Sequence, residues 1–76
     1  MKARIWFTSQ WARRKFLKHT NVSEVNNQLL VVRHVDAWLV HGPKIGLLVD
    51  IRPITFIDEA PVMRNNKEVG KISSNT

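Results

Sequence analysis

The sequence predicts a small α+β domain in which two short helices precede a β-ribbon. A stretch without helix breakers follows two capping residues near the start of the chain, and apolar residues with helical spacing follow in the middle. Two short segments rich in aliphatic and β-branched residues come next. Seventy-six residues are enough for one such domain and too few for two hydrophobic cores.

The first helix is predicted over residues 9–19. Thr8 and Ser9 are both good N-cap residues, and no breaker occurs before Lys18. Ala12 and Phe16 are four residues apart and therefore share one face of this helix. We assign three aromatic residues to the core on their helical spacing: Trp11, Phe16 and Trp38. The adjacent Trp6 and Phe7 belong to an extended entry segment, so one of them faces outward.

The middle of the chain, residues 24–41, has two interpretations. The apolar positions Val25, Leu29, Val32, Val35 and Leu39 are separated by three or four residues, which favours one long helix or two short ones. Gly42 followed by Pro43 would end such a helix. The β-branched pair at positions 31 and 32 weakens the helix and permits a strand there.

The β-ribbon is predicted from residues 45–51 and 54–57, with Arg52 and Pro53 at the turn between them. Residues 64–76 are polar and aperiodic, so they are expected to form a disordered tail after a folded domain of residues 1–63. Two helices followed by a β-ribbon are the pattern of a winged-helix DNA-binding domain, which places a helix in the major groove and the ribbon beside it.

The net charge of +6 is concentrated at the start of the chain. Six cations precede the first acid, Glu24, whereas positive and negative charges balance from residue 21 onward. A focused basic surface requires an anionic partner, and the phosphates of nucleic acid are the commonest one. The predicted DNA-binding residues are Arg13, Arg14, Lys15, Lys18, Arg33, His34, His41, Lys44 and Arg52.

Composition and spacing argue against catalysis and metal binding. The chain has no cysteine, which excludes disulfides and thiolate metal sites. His34 and His41 would share a helix face but lack a third ligand. Asp58 and Glu59 are adjacent, so on a strand they would point to opposite faces and could not act as an acid/base pair. We expect a soluble, cytoplasmic protein that is not an enzyme and has no cofactor, no metal, no small-molecule substrate and no membrane contact.

Three segments resemble the phage excisionases, small basic winged-helix proteins also called recombination directionality factors. The first is Thr-Ser-Gln-Trp-Ala-Arg-Arg-Lys-Phe at positions 8–16. The second is Val35-x-x-Trp38-Leu39-x-x-Gly42, similar to the end of the family's recognition helix, with Ile45 close to a usual apolar position. The third is Phe-Ile-Asp-Glu-Ala-x-Val at positions 56–62, similar to the strand that leaves the wing.

The resemblance implies a DNA-binding accessory protein. Such a protein binds and bends double-stranded attachment-site DNA and directs a tyrosine integrase towards excision of a phage or prophage. Family members contact the integrase through their C-terminal tail, which corresponds to residues 64–76 here. The polar positions left on the implied recognition helix are Arg33, His34 and His41, and those on the wing are Lys44 and Arg52.

Two other functions fit the same residues. If residues 29–35, 37–41, 45–51 and 54–57 are four strands, the chain is a small β-barrel with an N-terminal helix, which favours RNA as the ligand. Alternatively, Val25, Val32 and Leu39 recur every seven residues and would form a dimer seam on a helix. The protein would then be a basic, dimerising interaction module whose N-terminus binds an acidic partner.

Overall fold

The computed structural model describes residues 1–19 and 22–75. Within them the chain forms one helix and seven strands, so the protein is mostly β. In chain order the elements are β1 (Lys2–Phe7), α1 (Gln10–Lys18), β2 (Glu24–Val25), β3 (Gln28–Leu29), β4 (Val32–His41), β5 (Lys44–Ile51), β6 (Glu59–Arg64) and β7 (Lys67–Ser74).

The strands form one antiparallel sheet in the order β3-β2-β6-β7-β1-β5-β4. β1 lies near its centre and pairs with both β5 and β7. Successive side chains of a strand point to opposite faces. One face of β1 is buried and contributes Ala3, Ile5 and Phe7 to the core. The other face, which we call the open face because α1 does not lie on it, carries Lys2, Arg4 and Trp6.

The predicted first helix is confirmed as α1. The Ser9 backbone is extended, and its side-chain oxygen accepts a hydrogen bond from the Ala12 amide at 3.0 Å, which is an N-cap. Lys15 and Lys18 lie in the last turn, where positive charge is favourable beside the helix dipole. Phe16 is 1% exposed, and its ring centroid lies 5.2 Å from that of Phe7. This contact fixes α1 on the buried face of β1.

Two pairs of asparagines make the tight turns of two hairpins. Asn26 and Asn27 connect β2 to β3, and their φ angles are +50° and +63°. Asn65 and Asn66 connect β6 to β7 with the same two angles. Two-residue hairpin loops of this kind need positive φ at both positions, and asparagine tolerates that conformation better than most residues.

The winged-helix prediction is wrong, because residues 24–41 form β2, β3 and β4 instead of a helix. Gly42 and Pro43, predicted to end a helix, make the turn that pairs β4 with β5, with Gly42 at φ +61°. Val31 immediately precedes β4, and Val32 is the first residue of this strand. Within β4, Val35 pairs with the buried Val49. The helical dimer seam through Val25 and Leu39 therefore does not form.

The predicted ribbon and tail also need correction. Residues 45–51 are a strand as expected and belong to β5, but residues 54–57 form none. Residues 64–74 are not disordered, because β7 completes the sheet between β6 and β1. Ile72 on β7 is fully buried opposite Ile5. Thr76, the last residue of the expected tail, lies outside the described residues.

The β-rich alternative is closer to the observed architecture. Residues 37–41 lie in β4 and residues 45–51 in β5, as that interpretation requires, and α1 is the N-terminal helix. In the described part of the chain, no helix has the length and apolar character needed to cross a membrane.

Candidate nucleic-acid interface

One face of α1 carries an aromatic residue and three cations. Trp11, Arg14, Lys15 and Lys18 are spaced i, i+3, i+4 and i+7, which places them on one stripe of the helix surface. We call these four residues the basic stripe. Ala12 and Phe16 point away from it into the core, so the buried face holds α1 in place and presents the basic stripe to solvent.

Trp11 is exposed, and its assignment to the core is wrong. Two thirds of its surface, 67%, is accessible, although tryptophan is a strongly buried residue type on average. The Lys15 ammonium lies 4.5 Å from the centroid of the indole ring, a cation–π contact. The Lys15 ammonium therefore lies over one face of the ring, while most of the indole remains exposed.

Trp11 stands between two surface recesses. The first has a volume of about 350 Å³ and lies between the start of α1 and the β6–β7 hairpin. The second has a volume of about 530 Å³ and runs along α1 towards His19, lined by Arg14, Leu17 and Lys18. Trp11 and Lys15 line both recesses, which therefore adjoin along the basic stripe; we call the two recesses together the groove.

The hairpin supplies the opposite wall of the first recess. On this side the recess is lined by Arg64, Asn65, Lys67, Glu68 and Val69. On the side of α1, the lining includes Thr8 and Ser9, which precede the helix. The buried Nε of Arg64 has no hydrogen-bond partner among the described residues. Glu68 is the one acidic residue recorded in this lining, so the recess has an excess of positive charge.

The ion pairs of the described residues lie elsewhere. Lys2 Nζ is 2.6 Å from Asp36 Oδ2, and Lys71 Nζ is 3.7 Å from Glu59. The hydrogen bond to Asp36 raises the pKa of Lys2 above its ordinary value of 10.5. The hydrogen bond from the N-terminal ammonium lowers the pKa of Asp50 below 3.8. Within residues 1–19 and 22–75, no ion pair involves a cation of the basic stripe, whose charges remain available to a ligand.

Arg13 differs from the other predicted helix cations because it is buried. It is 5% exposed, and its guanidinium lies 4.3 Å from the centroid of the Trp38 ring on β4. Trp38, which was expected in the core, is 64% exposed at the edge of the sheet. Arg13 thus fastens α1 to β4 and lies off the basic stripe.

The structure does not gather the remaining predicted residues around the groove. Arg33 and His34 lie near the start of β4, and His34 Nε2 is 3.5 Å from Asp36. Arg52 follows the end of β5. His41 and Lys44 pair across the β4–β5 turn. Of these five, Lys44 lines a further recess on the open face of the sheet. No group of three potential metal ligands occurs among the described residues.

The adjacent carboxylates at positions 58 and 59 lie where a bend meets the start of a strand. Asp58 lies at a bend with φ +57° before β6 begins, and Glu59 is the first residue of β6. Glu59 is directed to Lys71 of the neighbouring strand. The premise of the sequence argument, that both residues occupy one strand, is therefore wrong for Asp58.

Several residues of the groove were missed from the sequence, and two signals could have found them. The spacing of Trp11 with Arg14, Lys15 and Lys18 already places the tryptophan on the charged face. The paired asparagines at 65 and 66 are a hairpin signal, which would have brought Arg64 and Lys67 into the folded domain.

No protein-family model, curated protein or solved structure matches this chain. The excisionase resemblance therefore has neither support nor contradiction from relatives. Its second segment, residues 35–42, forms the end of β4 and the following turn where the family has a recognition helix.

Proposed function

We propose that the protein binds single-stranded nucleic acid, RNA in the first instance, along the groove bordered by the basic stripe. The observation that carries this proposal is the exposed Trp11 ring set among Arg14, Lys15 and Lys18. Proteins that bind single strands combine aromatic rings, on which bases stack, with cations that follow the phosphates. The groove supplies both on a rigid helix.

The aromatic ring distinguishes a polynucleotide from a simple anionic partner. Cations alone would bind an acidic protein or any phosphate, whereas an exposed indole makes its most favourable contact by stacking on a flat aromatic ligand. Lys67 and Arg64 on the hairpin wall stand across the first recess from Trp11 and Lys15. A base on the ring would therefore have cations on both sides for its flanking phosphates.

The same ring favours an unpaired strand over a duplex. Bases in a duplex are already stacked on one another and offer only their edges in the grooves. A splayed base in a single strand or loop exposes its π-face, as RNA loops do when aromatic side chains bind them. With three phosphate contacts from the stripe, the logarithm of affinity should fall against the logarithm of salt with a slope of about −2.

A binding titration with matched variants tests this function. Fluorescence anisotropy would compare labelled single-stranded RNA, single-stranded DNA and duplex DNA. Trp11→Ala should weaken single-strand binding by about tenfold, because one stacked base is worth about 1–3 kcal/mol. Ile57→Ala is the control, since Ile57 is an exposed apolar residue that lines neither recess beside Trp11. Equal losses in the two variants, or a preference for the duplex, would contradict the proposal.

A second function is favoured by the edge of β4. We propose that two copies pair antiparallel along residues 37–41 as a dimerising module. No other described strand pairs with this edge, and Trp38 and Val40, exposed by 64% and 73%, lie on the same face of it. The segment has no lysine, arginine or acid, so two chains of charge +6 can approach there.

Light scattering over a range of protein concentrations tests the dimer. The parent should show concentration-dependent dimers, and Val40→Lys should remain a monomer, because a lysine on an edge strand opposes pairing. Ile57→Lys is the control, because Ile57 is exposed and lies outside the strands. A parent that stays monomeric at about 1 mM would exclude this function.

Excisionase activity and a cytoplasmic location stay predictions.

A further inference from the structure

A second aromatic ring lies on the open face of the sheet. Trp6 is half-buried, and its indole lies across Gly46 of β5, where an added Cβ would come within 2.9 Å of the ring atom Cε3. Glycine at this position therefore leaves room for the indole to pack over the neighbouring strand. The packing restricts the ring while part of it remains exposed.

A recess of about 370 Å³ adjoins this ring. Two lysines line it, Lys44 from β5 and Lys71 from β7, together with Glu59 and Glu68. Lys71 is 3.7 Å from Glu59, whereas Lys44 has no ion pair among the described residues. The open face thus repeats the combination of an indole with cations found around Trp11, although here the two glutamates balance the charge of the two lysines.

The recess on the open face shares two lining residues with the groove beside α1. Thr8 and Glu68 line both, and they lie just beyond Phe7 and Gly70, the last pair between β1 and β7. The Thr8 amide donates to the Val69 carbonyl at 3.1 Å, which holds this end of the sheet together. Lys67 lines the first recess and Lys71 the second, so cations continue around the end of the sheet.

We infer that one single strand runs from Trp11 over the end of the sheet at Thr8 to Trp6, with bases stacked on both indoles. This inference rests on the proposed function and specifies its ligand. Trp6 lies on the open face, whereas Trp11 is on α1, which packs on the buried face, so a strand that contacts both rings must turn sharply around the end of the sheet. A duplex, with a persistence length of about 150 base pairs, cannot make that turn, whereas a flexible single strand can.

The dependence of affinity on oligonucleotide length tests the inference. Oligouridylates of about 4 and about 12 nucleotides would be titrated against the parent and against a Lys44→Gln/Lys71→Gln variant. Trp6→Phe is a second variant that keeps an aromatic ring over Gly46. Arg33→Gln/Arg52→Gln is the control, because it removes the same charge from exposed positions outside both recesses.

The expected result is specific to the longer ligand. The parent should bind the 12-mer at least about tenfold more tightly than the 4-mer, and the lysine variant should lose most of that gain while its affinity for the 4-mer stays unchanged. Trp6→Phe should reduce the gain in part. If both variants keep the full gain while Trp11→Ala loses binding, the path over the sheet is wrong and the proposed function stands. If the parent binds neither oligonucleotide, both fail.

Discussion

The guanidinium of Arg13 lies 4.3 Å from the centroid of the Trp38 ring and joins α1 to the edge strand β4. The Nε of this arginine is buried without a hydrogen-bond partner among the described residues. Arg13 follows Ala12 on the side of the helix that faces the sheet, and neither recess beside Trp11 includes it. One of the four cations in the cluster at 13–18 is therefore structural, and the other three face solvent.

Arg13→Met should leave the free energy of unfolding within about 1 kcal/mol of the parent. The substitution removes a cation–π contact worth about 1–2 kcal/mol. It also removes a buried, unsatisfied donor, whose presence destabilises the parent by about 1–3 kcal/mol, so the two effects offset each other. Arg13→Ala, which also removes the packed stem, should lose about 2 kcal/mol. Urea denaturation measures both. Met and Ala variants that are equally destabilised would show that the charge itself is required.

Gly46→Ala should destabilise the protein more than Gly42→Ala. A Cβ at position 46 would lie 2.4 Å from the Ile5 carbonyl oxygen, so β1 and β5 would have to separate. A Cβ at position 42 meets nothing within 4 Å, and only the positive φ of +61° opposes it, at a cost of about 1 kcal/mol. Thermal unfolding of the two variants compares them directly, and equal losses would contradict the close approach at Gly46.

Acid should weaken the parent more than an Asp50→Asn variant. The pKa of Asp50 is lowered in the folded state by the hydrogen bond from the N-terminal ammonium 2.8 Å away, with a smaller contribution from Lys2. A carboxyl group with a lowered folded pKa contributes stability above its unfolded value, near 3.8, and loses that contribution as pH falls below it. Melting temperatures between neutral pH and about pH 2 should therefore converge for the two proteins. A constant difference would contradict this pairing.

Glu68→Gln should strengthen binding of single-stranded RNA. Glu68 lines both recesses, and its negative charge opposes phosphates on the proposed path. Glu24→Gln is the control, because Glu24 is exposed on β2 and lines neither of them. Anisotropy titrations at low salt should show a several-fold gain for the first variant and a smaller one for the second. Equal gains would indicate that net charge alone governs binding.

Local signals in the sequence predicted α1 well. Ser9 as N-cap and the pair of Ala12 with Phe16 depend on neighbouring residues alone, and the structure confirms both. Trp11 was misplaced because its aromatic character was given more weight than its position on the charged stripe.

The long-range pairing was much harder to predict. Apolar spacing in residues 24–41 fits a helix, yet two register shifts in β4, between positions 32 and 34 and between 35 and 37, interrupt the alternation of a strand. Strands are recognised in a sequence by a strict two-residue alternation of apolar and polar residues, and each register shift breaks that alternation. β7 was taken for a disordered tail because polar residues occupy its open-face positions, while only Ile72 and Gly70 are buried.

The fluorescence of Trp11 during RNA binding tests the central claim most directly. A Trp6→Phe/Trp38→Phe variant retains Trp11 as the one tryptophan, and its emission would be followed with labelled single-stranded RNA at two salt concentrations. Stacking of a base should quench the indole in parallel with the anisotropy change, and higher salt should shift both curves together to weaker binding. RNA that binds without altering Trp11 emission, or that does not bind at low salt, would contradict a base-stacking site on the basic stripe.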